Sequence, residues 1–157
     1  ENYICANFKD SLIIRLNAVY GDYPPDFKRG GLIPFSFPYE LALNKKIVLK
    51  SHGMQSRNFV STNKIASFVN SAILIKKSGV VNLVGYHTMS VVNFAHFCIK
   101  EIYKKYDLEF SVKILEAEDT GYIDDFSYRS TESQPDENEN ELKLHVLSTF
   151  KKFMIVK

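Results

Sequence analysis

Two segments combine a short apolar strand with polar side chains that can bind an anion. Residues 11–21 carry Arg15 and Asn17, and residues 56–66 carry Arg57. A guanidinium group is planar, always ionised and rich in N–H donors, so one arginine can hold both phosphates of a diphosphate. An arginine in a salt bridge at a sheet edge would explain the spacing of Arg57 equally well. Both interpretations stay open on the spacing alone.

Other residue types give no comparable pattern. The four histidines share no metal-ligand spacing with one another or with the two cysteines, so no metal site is predicted. Asp124, Asp125 and the acidic residues after them form no paired-carboxylate pattern and are interpreted as solvated charge. Cys5 and Cys98 fall in helical apolar patterns, which predicts two buried free thiols. No residue of the chain is predicted to be catalytic.

The net charge of +2 hides a strong asymmetry along the chain. Residues 116–141 hold ten of the 18 acidic residues and only one of the 20 basic residues, Arg129. The remaining chain is therefore basic, which would suit nucleic acid or a phosphate-bearing small ligand. Because its lysines are scattered over several elements, we interpret them as ordinary solvated faces and expect no nucleic-acid partner.

The composition is that of a globular domain, with 45% apolar and 13% aromatic residues in 157. The chain has no secretory leader pattern, and no apolar run approaches the ~18 residues of a membrane span. These features predict a cytoplasmic protein without a membrane partner. Glu1 falls inside a helical pattern, so we expect the chain to begin within a domain.

Hydrophobic periodicity predicts strands that alternate with helices, which indicates an α/β fold whose sheet is completed by another segment. Proline at position 38 weakens the second helix, because a proline inside a helix removes a hydrogen-bond donor. Thr62 or Asn63 is predicted to cap the third helix and Ser90 the fourth. The predicted helices are 1–9, 32–44, the two that follow these caps, and 141–157; the predicted strands are 12–16, 46–50, 57–61, 80–84 and 108–115.

Five motifs in order resemble the C-terminal portion of the extended short-chain dehydrogenases/reductases, the NAD-dependent nucleotide-sugar epimerase/dehydratase family. They are Arg15-Leu-Asn-Ala-Val-Tyr-Gly21, Leu32-Ile-Pro34, His52-Gly53, Arg57-Asn-Phe-Val60, and Val81-Asn-Leu-Val-Gly85 followed by Ser90-Val-Val92. The resemblance, over residues 1–105, implies the final strands of a Rossmann-type sheet and the small substrate-binding subdomain. We expect this portion to span 1–115, followed by an acidic stretch at 116–140 that is either a loop or partly disordered, and an amphipathic helix at 141–157.

The resemblance implies that Arg57 binds the diphosphate of a nucleotide-diphosphate sugar. The family also carries a substrate-binding asparagine, but its position is occupied here by Ala18. The adjacent Asn17 can take that role only if the strand has already broken into a loop, because neighbouring side chains of a strand point to opposite faces.

The resemblance also implies that Val48, Leu49 and Lys50 form a strand beside the nucleotide base and offer it backbone hydrogen bonds. These residues would equally well fill an edge strand, and both interpretations stay open. Leu32 and Ile33 could close the pocket from the helix side, although core packing is the interpretation we favour for them.

Several positions depart from the family pattern. Asn58 and Asn63 replace acidic residues, and His52 replaces a small or acidic turn residue. Together with Ala18, these changes suggest an unusual substrate or relaxed selection on activity.

The chain also lacks the glycine-rich turn that seats the dinucleotide pyrophosphate and the Tyr-x-x-x-Lys pair that transfers the proton. The resemblance therefore implies that the complete enzyme uses NAD or NADP, that this chain alone binds neither, and that an N-terminal Rossmann half is its partner. A homodimer is also among the expected assemblies. The alternative is a non-catalytic binding or assembly module derived from the same family.

Overall fold

The computed structural model describes residues 1–22, 32–115, 128–130 and 136–154. Helices and strands alternate over most of this length, as the periodicity predicts. The elements are α1 (Asn2–Asn7), β1 (Leu12–Arg15), β2 (Ala18–Tyr20), α2 (Ile33–Asn44), β3 (Lys46–Leu49), β4 (Ser56–Ser61), α3 (Thr62–Leu74), β5 (Gly79–Asn82), β6 (His87–Ser90), α4 (Val91–Tyr106), β7 (Ser111–Ile114) and α5 (Glu141–Met154).

The strands form three small sheets in the described part of the chain. β1 pairs in parallel with β5, and β3 pairs in parallel with β7. The third sheet has the order β2-β4-β6, in which β4 is parallel to β2 and antiparallel to β6. Strand β4 is thus bonded on both edges, and it carries Arg57 as its second residue.

Two strands escape prediction from the sequence. β2 has only three residues and follows β1 after a two-residue break, so its apolar residues merge with those of β1. β6 has the sequence His-Thr-Met-Ser and shows no apolar alternation. It is a strand because it pairs with β4, with Arg57 opposite Met89 and Phe59 opposite His87. Tertiary pairing, rather than local propensity, decides such strands.

Serine side chains cap the N-termini of helices α3 and α4. The Ser90 hydroxyl accepts a hydrogen bond from the Asn93 N–H at 3.2 Å, so the predicted cap of α4 is confirmed. For α3 the predicted cap at Thr62 or Asn63 is wrong. Ser61, the last residue of β4, caps it by accepting from the Lys64 N–H at 3.1 Å. The chain therefore passes from β4 into α3 without a loop.

The larger hydrophobic core packs α2, α4 and α5 against β2, β3 and β4. The predicted inward face of α4 is confirmed, because Val91, Ala95, Cys98 and Ile102 are all buried. The core consists of Ala18, Tyr20, Phe37, Leu41, Ile47, Leu49, Phe59, Val91, Phe94, Ala95, Cys98, Ile102, Leu142, Val146, Leu147 and Phe150. Helix α5 therefore belongs to the same core as the elements before residue 115.

A smaller core lies beneath α3. It consists of Val60, Phe68, Ala72, Val81 and Leu83. Leu12 and Ile14 of β1 are only partly buried against it. Helix α1 buries no residue, and Phe8 is 58% exposed. Cys5 is consequently exposed, and its predicted burial is wrong; Cys98 is buried as predicted.

Helix α2 continues through Pro38, and the structure shows why this is tolerated. Pro38 has no N–H, so the Pro34 carbonyl one turn earlier has no helical donor. His145 of α5 lies with Nε2 at 3.0 Å from that carbonyl oxygen and donates to it. The imidazole is also packed between Tyr20 and Phe35, at 5.4 and 4.8 Å between ring centroids. The hydrogen bond that α2 lacks within its own backbone is thus replaced by one from the His145 side chain, which joins α2 to α5.

No helix in the described part of the chain is long and apolar enough to cross a membrane.

His145→Phe should destabilise the fold, because it keeps the ring packing and leaves the buried Pro34 carbonyl without a donor, at a cost of about 1–3 kcal/mol. In a Pro38→Ala background the new N–H of residue 38 supplies that donor within the helix. The cost of His145→Phe should then fall by about 1 kcal/mol. Urea unfolding of the four proteins measures this coupling, and equal costs in both backgrounds would disprove the compensation.

His145 should also make the stability pH-dependent. Burial lowers the pKa of His145 and outweighs the Pro34 and Gly21 carbonyls, which raise it. The folded protein thus binds the proton less readily than the unfolded chain. The stability that the neutral His145 contributes is complete above the unfolded pKa of about 6.5. It is lost as the pH falls below that value, by at most about 1.4 kcal/mol per pH unit. Unfolding midpoints between pH 7.5 and 5.5 should fall in the wild type and change less in His145→Phe; identical profiles would contradict this.

Candidate ligand-binding site

Arg57 and Asn17 are brought together at one cavity. Its volume is about 440 Å³. The lining residues are Asn17, Ala18, Leu32, Ile33, Pro34, Gln55, Arg57 and Val91. The cavity thus combines one guanidinium group and two side-chain amides with an apolar wall. Sites for small organic anions commonly show this composition, in which a few polar groups orient the ligand and apolar groups cover it.

The break between β1 and β2 places Asn17 in this cavity. β1 ends at Arg15 and β2 begins at Ala18, so Asn17 belongs to neither strand. The condition for Asn17 to act in place of the family's asparagine is therefore met, whereas Ala18 is buried. Its role as a ligand-binding residue remains a prediction.

Arg57 is half-buried at the start of β4, and its Nη1 donates to the Ser56 carbonyl at 2.7 Å. The hydroxyl of Tyr128 donates to the same carbonyl oxygen at 2.9 Å. Tyr128 therefore lies beside Arg57 although the two are far apart in sequence. The predicted role of Arg57 in holding phosphate remains a prediction, and its location in a cavity is what that role requires.

A second cavity of about 230 Å³ adjoins the first, because Asn17 lines both. Its lining residues are Arg15, Leu16, Asn17, Asn58, Asn82, Leu83, Val84, Tyr128 and Arg129. The Arg15 guanidinium is paired with the Glu1 carboxylate at 2.6 Å, and Arg129 is exposed. No sequence pattern selects Tyr128 or Arg129. The only signal is that Arg129 is the single basic residue in the acidic stretch.

Val48, Leu49 and Lys50 do not line either cavity. Leu49 is 4% exposed and packs in the larger core. Its carbonyl accepts from the Leu115 N–H at 2.9 Å, so the backbone groups of Val48 face the opposite edge of β3. There the Val48 N–H donates to Glu40 Oε2 at 3.4 Å. The predicted contact of this strand with a base remains a prediction.

The preferred core-packing interpretation of the 32–33 pair is wrong for Leu32. Leu32 is 55% exposed and lines the first cavity. Ile33 lines the same cavity and also packs against the larger core. Leu32 thus forms part of the rim of the candidate site.

Asn58 is a structural residue, with 1% of its surface exposed. Its Nδ2 donates to the carbonyls of Gly85 and His87 at 2.9 and 3.2 Å and to Thr88 Oγ1 at 2.9 Å. Its Oδ1 accepts from the Gly85 N–H at 2.7 Å. The two carbonyls can only accept, so an amide satisfies this position and a carboxylate does not.

Asn63 has a comparable explanation. Its Nδ2 donates to Glu141 Oε1 at 2.6 Å, which joins α3 to the start of α5. An aspartate at 63 would instead place two carboxylates in contact. Both asparagines thus meet the hydrogen-bonding needs of this fold, and they give no support to relaxed selection on activity.

The interpretation of the later acidic residues as solvated charge is wrong for Glu137. This side chain is half-buried and accepts from the Ser61 N–H at 2.7 Å and the Tyr20 hydroxyl at 3.0 Å. Burial, and then the Glu137 carboxylate, raises the pKa of Tyr20 well above its usual range. Asp124 and Asp125 lie outside the described residues, as do 116–127 and 131–135 of the predicted acidic loop. Residues 128–130 and 136–140 are described and are not helical.

Within the described ranges, no group of three or more histidine, cysteine or acidic residues could hold a metal ion.

No protein-family model and no curated protein matches the chain. Solved structures do match. The chain aligns over 99% of its length with UDP-N-acetylglucosamine 4-epimerase from Methanobrevibacter ruminantium, at 18% identity and a TM-score of 0.63, and covers 50% of that structure. With UDP-glucuronic acid 4-epimerase from Bacillus cereus the chain aligns over 99% of its length at 18% identity and a TM-score of 0.60, and it covers 49% of that structure. With dTDP-4-dehydrorhamnose reductase from Bacillus anthracis it aligns over 96% of its length at 13% identity and a TM-score of 0.64, and it covers 51% of that structure.

These likenesses show the fold. The prediction of an α/β chain with the architecture of the C-terminal portion of an extended short-chain dehydrogenase is confirmed. The chain spans about half the length of the solved structures it matches. The first two are complexes with UDP-linked ligands, the second also with NAD, and the third is a complex with NADP.

Asn58→Asp should destabilise the fold by about 2–4 kcal/mol at pH 7, because a buried carboxylate would face the Gly85 and His87 carbonyls without a proton to donate. Asn70→Asp, at an exposed position of α3, adds the same charge and should change stability by roughly 0.5 kcal/mol or less. Urea unfolding midpoints compare the two. A cost of Asn58→Asp no larger than that of the control would show that the amide network is not needed.

Proposed function

We propose that this chain is the substrate-binding portion of an NAD(P)-dependent enzyme that acts on a nucleotide-diphosphate sugar. The observation that carries the proposal is the cavity in which Arg57 and Asn17 meet, in a fold shared with nucleotide-sugar epimerases and reductases. The Arg57 guanidinium would bind the diphosphate through several N–H donors. The amides of Asn17 and Gln55 would orient the hydroxyl groups of the ligand.

The adjoining cavity extends this site toward a second positive charge. Arg15 is engaged by Glu1, so Arg129 is the guanidinium better placed for an added anionic group. Leu32, Ile33 and Val91 form the apolar wall of the first cavity. A ligand with a charged centre and a flat or apolar end suits this arrangement. The same proposal includes backbone hydrogen bonds from Val48, Leu49 and Lys50 to the nucleotide base.

The described residues do not fit a dinucleotide cofactor. Pyrophosphate binding in Rossmann folds needs a glycine-rich turn between a strand and the N-terminus of a helix. Here the direct strand-to-helix junctions are Ser61–Thr62 and Ser90–Val91, and neither contains glycine. The cofactor and the proton-transfer residues would therefore come from the proposed N-terminal Rossmann half.

The surface around β1 supports such a partner. β1 pairs only with β5 in the described part of the chain, so its other edge can receive a strand. A cavity of about 620 Å³ beside it is lined by apolar residues of β1 and α3 together with three charged residues: Leu12, Ile14, Val69, Ala72, Ile73, Asp10, Lys76 and Lys77. The apolar residues of this cavity, and separately the exposed Phe8 that follows α1, are hydrophobic surface that the remaining half of the fold would cover.

UDP or dTDP should raise the thermal unfolding temperature of the 157-residue chain, because ligands that bind the folded state stabilise it. Arg57→Ala should weaken this binding roughly 10- to 100-fold, as expected for the loss of a charge-assisted hydrogen bond to phosphate. Arg57→Lys should be intermediate, because an ammonium group cannot bind in the bidentate manner. Calorimetric titration provides the dissociation constants.

Lys100→Ala removes a positive charge from an exposed position of α4 and is the matched control. It should bind UDP like the wild type. Absence of binding by UDP, dTDP, ADP and GDP, or equal affinities of Arg57→Ala and the wild type, would refute the assigned site.

A further inference from the structure

Residues 136–141 form a strap across the end of the β2-β4 pair. Three glutamates at alternate positions, Glu137, Glu139 and Glu141, make its contacts. Glu139 accepts from the Tyr86 hydroxyl at 3.1 Å, and its backbone carbonyl lies 2.7 Å from His87 Nε2. Glu141 accepts from the Asn63 amide. Glu139 lies in a turn and Glu141 is the first residue of α5, so each of the three residues reaches its partner from a different backbone conformation.

Glu137 is the central contact of this strap. Its Oε1 accepts from the Ser61 N–H and the Tyr20 hydroxyl, and its Oε2 accepts from the Tyr86 N–H. These donors come from the ends of β4 and β2 and from the loop after β5. One carboxylate therefore joins three parts of the chain, with charge-assisted hydrogen bonds to two backbone N–H groups.

The chain that leads into the strap also contacts the candidate site. Tyr128 donates to the Ser56 carbonyl at the first residue of β4, and Glu137 accepts from Ser61 at its last residue. Two described parts of the chain, residues 128–130 and 136–141, thus contact opposite ends of the same strand. Tyr128 and Arg129 line the cavity that shares Asn17 with the Arg57 cavity.

We propose that Glu137 is a positioning residue for this site: by fastening the strap it holds Tyr128 and Arg129 beside Arg57. This rests on the proposed function, since the ligand held there is a nucleotide diphosphate. Glu137 lies at the far end of β4 and acts through Arg129, without contact to the ligand. Tyr128 and Arg129 are then components of the binding site.

The test uses Glu137→Gln in the 157-residue chain. The glutamine carbonyl can replace one carboxylate oxygen, but its NH₂ group would face the N–H or O–H donors on the other side. Hydrogen exchange of the backbone amides of residues 128–130 should become roughly tenfold faster, as expected for the loss of one hydrogen bond to a charged group. The affinity for UDP should fall about three- to tenfold.

A double-mutant cycle separates positioning from general destabilisation. In an Arg129→Ala background, Glu137→Gln should cause little further loss of UDP affinity, because the residue it positions is already absent. Glu109→Gln, at an exposed position, removes the same charge and should change neither measurement. Tyr20→Phe removes only the hydroxyl group that donates to Glu137. It should speed exchange at 128–130 and lower UDP affinity by a smaller factor than Glu137→Gln, and it serves as the test if Glu137→Gln does not fold.

The positioning role would be overturned if Glu137→Gln left amide hydrogen exchange at 128–130 unchanged. It would also be overturned if Glu137→Gln lowered UDP affinity equally in the wild-type and Arg129→Ala backgrounds. If the wild-type chain binds no UDP, the proposed function fails, and the exchange measurement alone decides whether Glu137 holds the segment.

Discussion

The buried amide of Asn58 is the interaction on which the rest of the site depends. It exchanges hydrogen bonds with both backbone groups of Gly85 and thereby binds the loop after β5 to the middle of β4. The backbones approach so closely that a Cβ on Gly85 would lie 1.8 Å from the Phe59 carbonyl oxygen. Only glycine fits there. Since neighbouring side chains of a strand point to opposite faces, burying Asn58 on one face directs Arg57 to the other.

The asparagines and the acidic strap are two parts of one electrostatic arrangement. Where the resemblance leads one to expect carboxylates, at positions 58 and 63, the fold needs donors to carbonyl oxygens and to Glu141. The negative charge near the end of β4 comes instead from Glu137, whose oxygens meet N–H and O–H donors. The polar groups of Asn58, Asn63 and Glu137 thus each face a partner of the opposite kind, as hydrogen bonding away from water requires. Of the four departures from the family pattern, the asparagines at 58 and 63 are thus explained by hydrogen bonding.

The sequence predicts elements with strong periodicity and misses those that depend on distant partners. The inward face of α4 follows from its 3.6-residue period, and a break in the strand before Asn17 is the condition that the sequence sets for Asn17 to bind a ligand. β6 could not be predicted, because its polar sequence becomes a strand only beside β4. Glu137 was missed for a similar reason. Nothing near it in the acidic stretch shows that two backbone N–H groups lie opposite it, so local composition indicated solvated charge.

Arg57 and Asn17, on the two sides of the candidate site, differ in how extensively the described residues pack around the strands that carry or precede them. Arg57 lies on a strand that is bonded on both edges and packed on the larger core. Asn17 follows β1, which belongs to a pair of strands over a core of only five buried residues. Two strands with an open apolar face have little independent stability. The proposed Rossmann half would add a neighbour to β1 and cover Leu12 and Ile14. Under the proposed function, this neighbour of β1 would also hold Asn17 beside Arg57, because Asn17 lies two residues after β1.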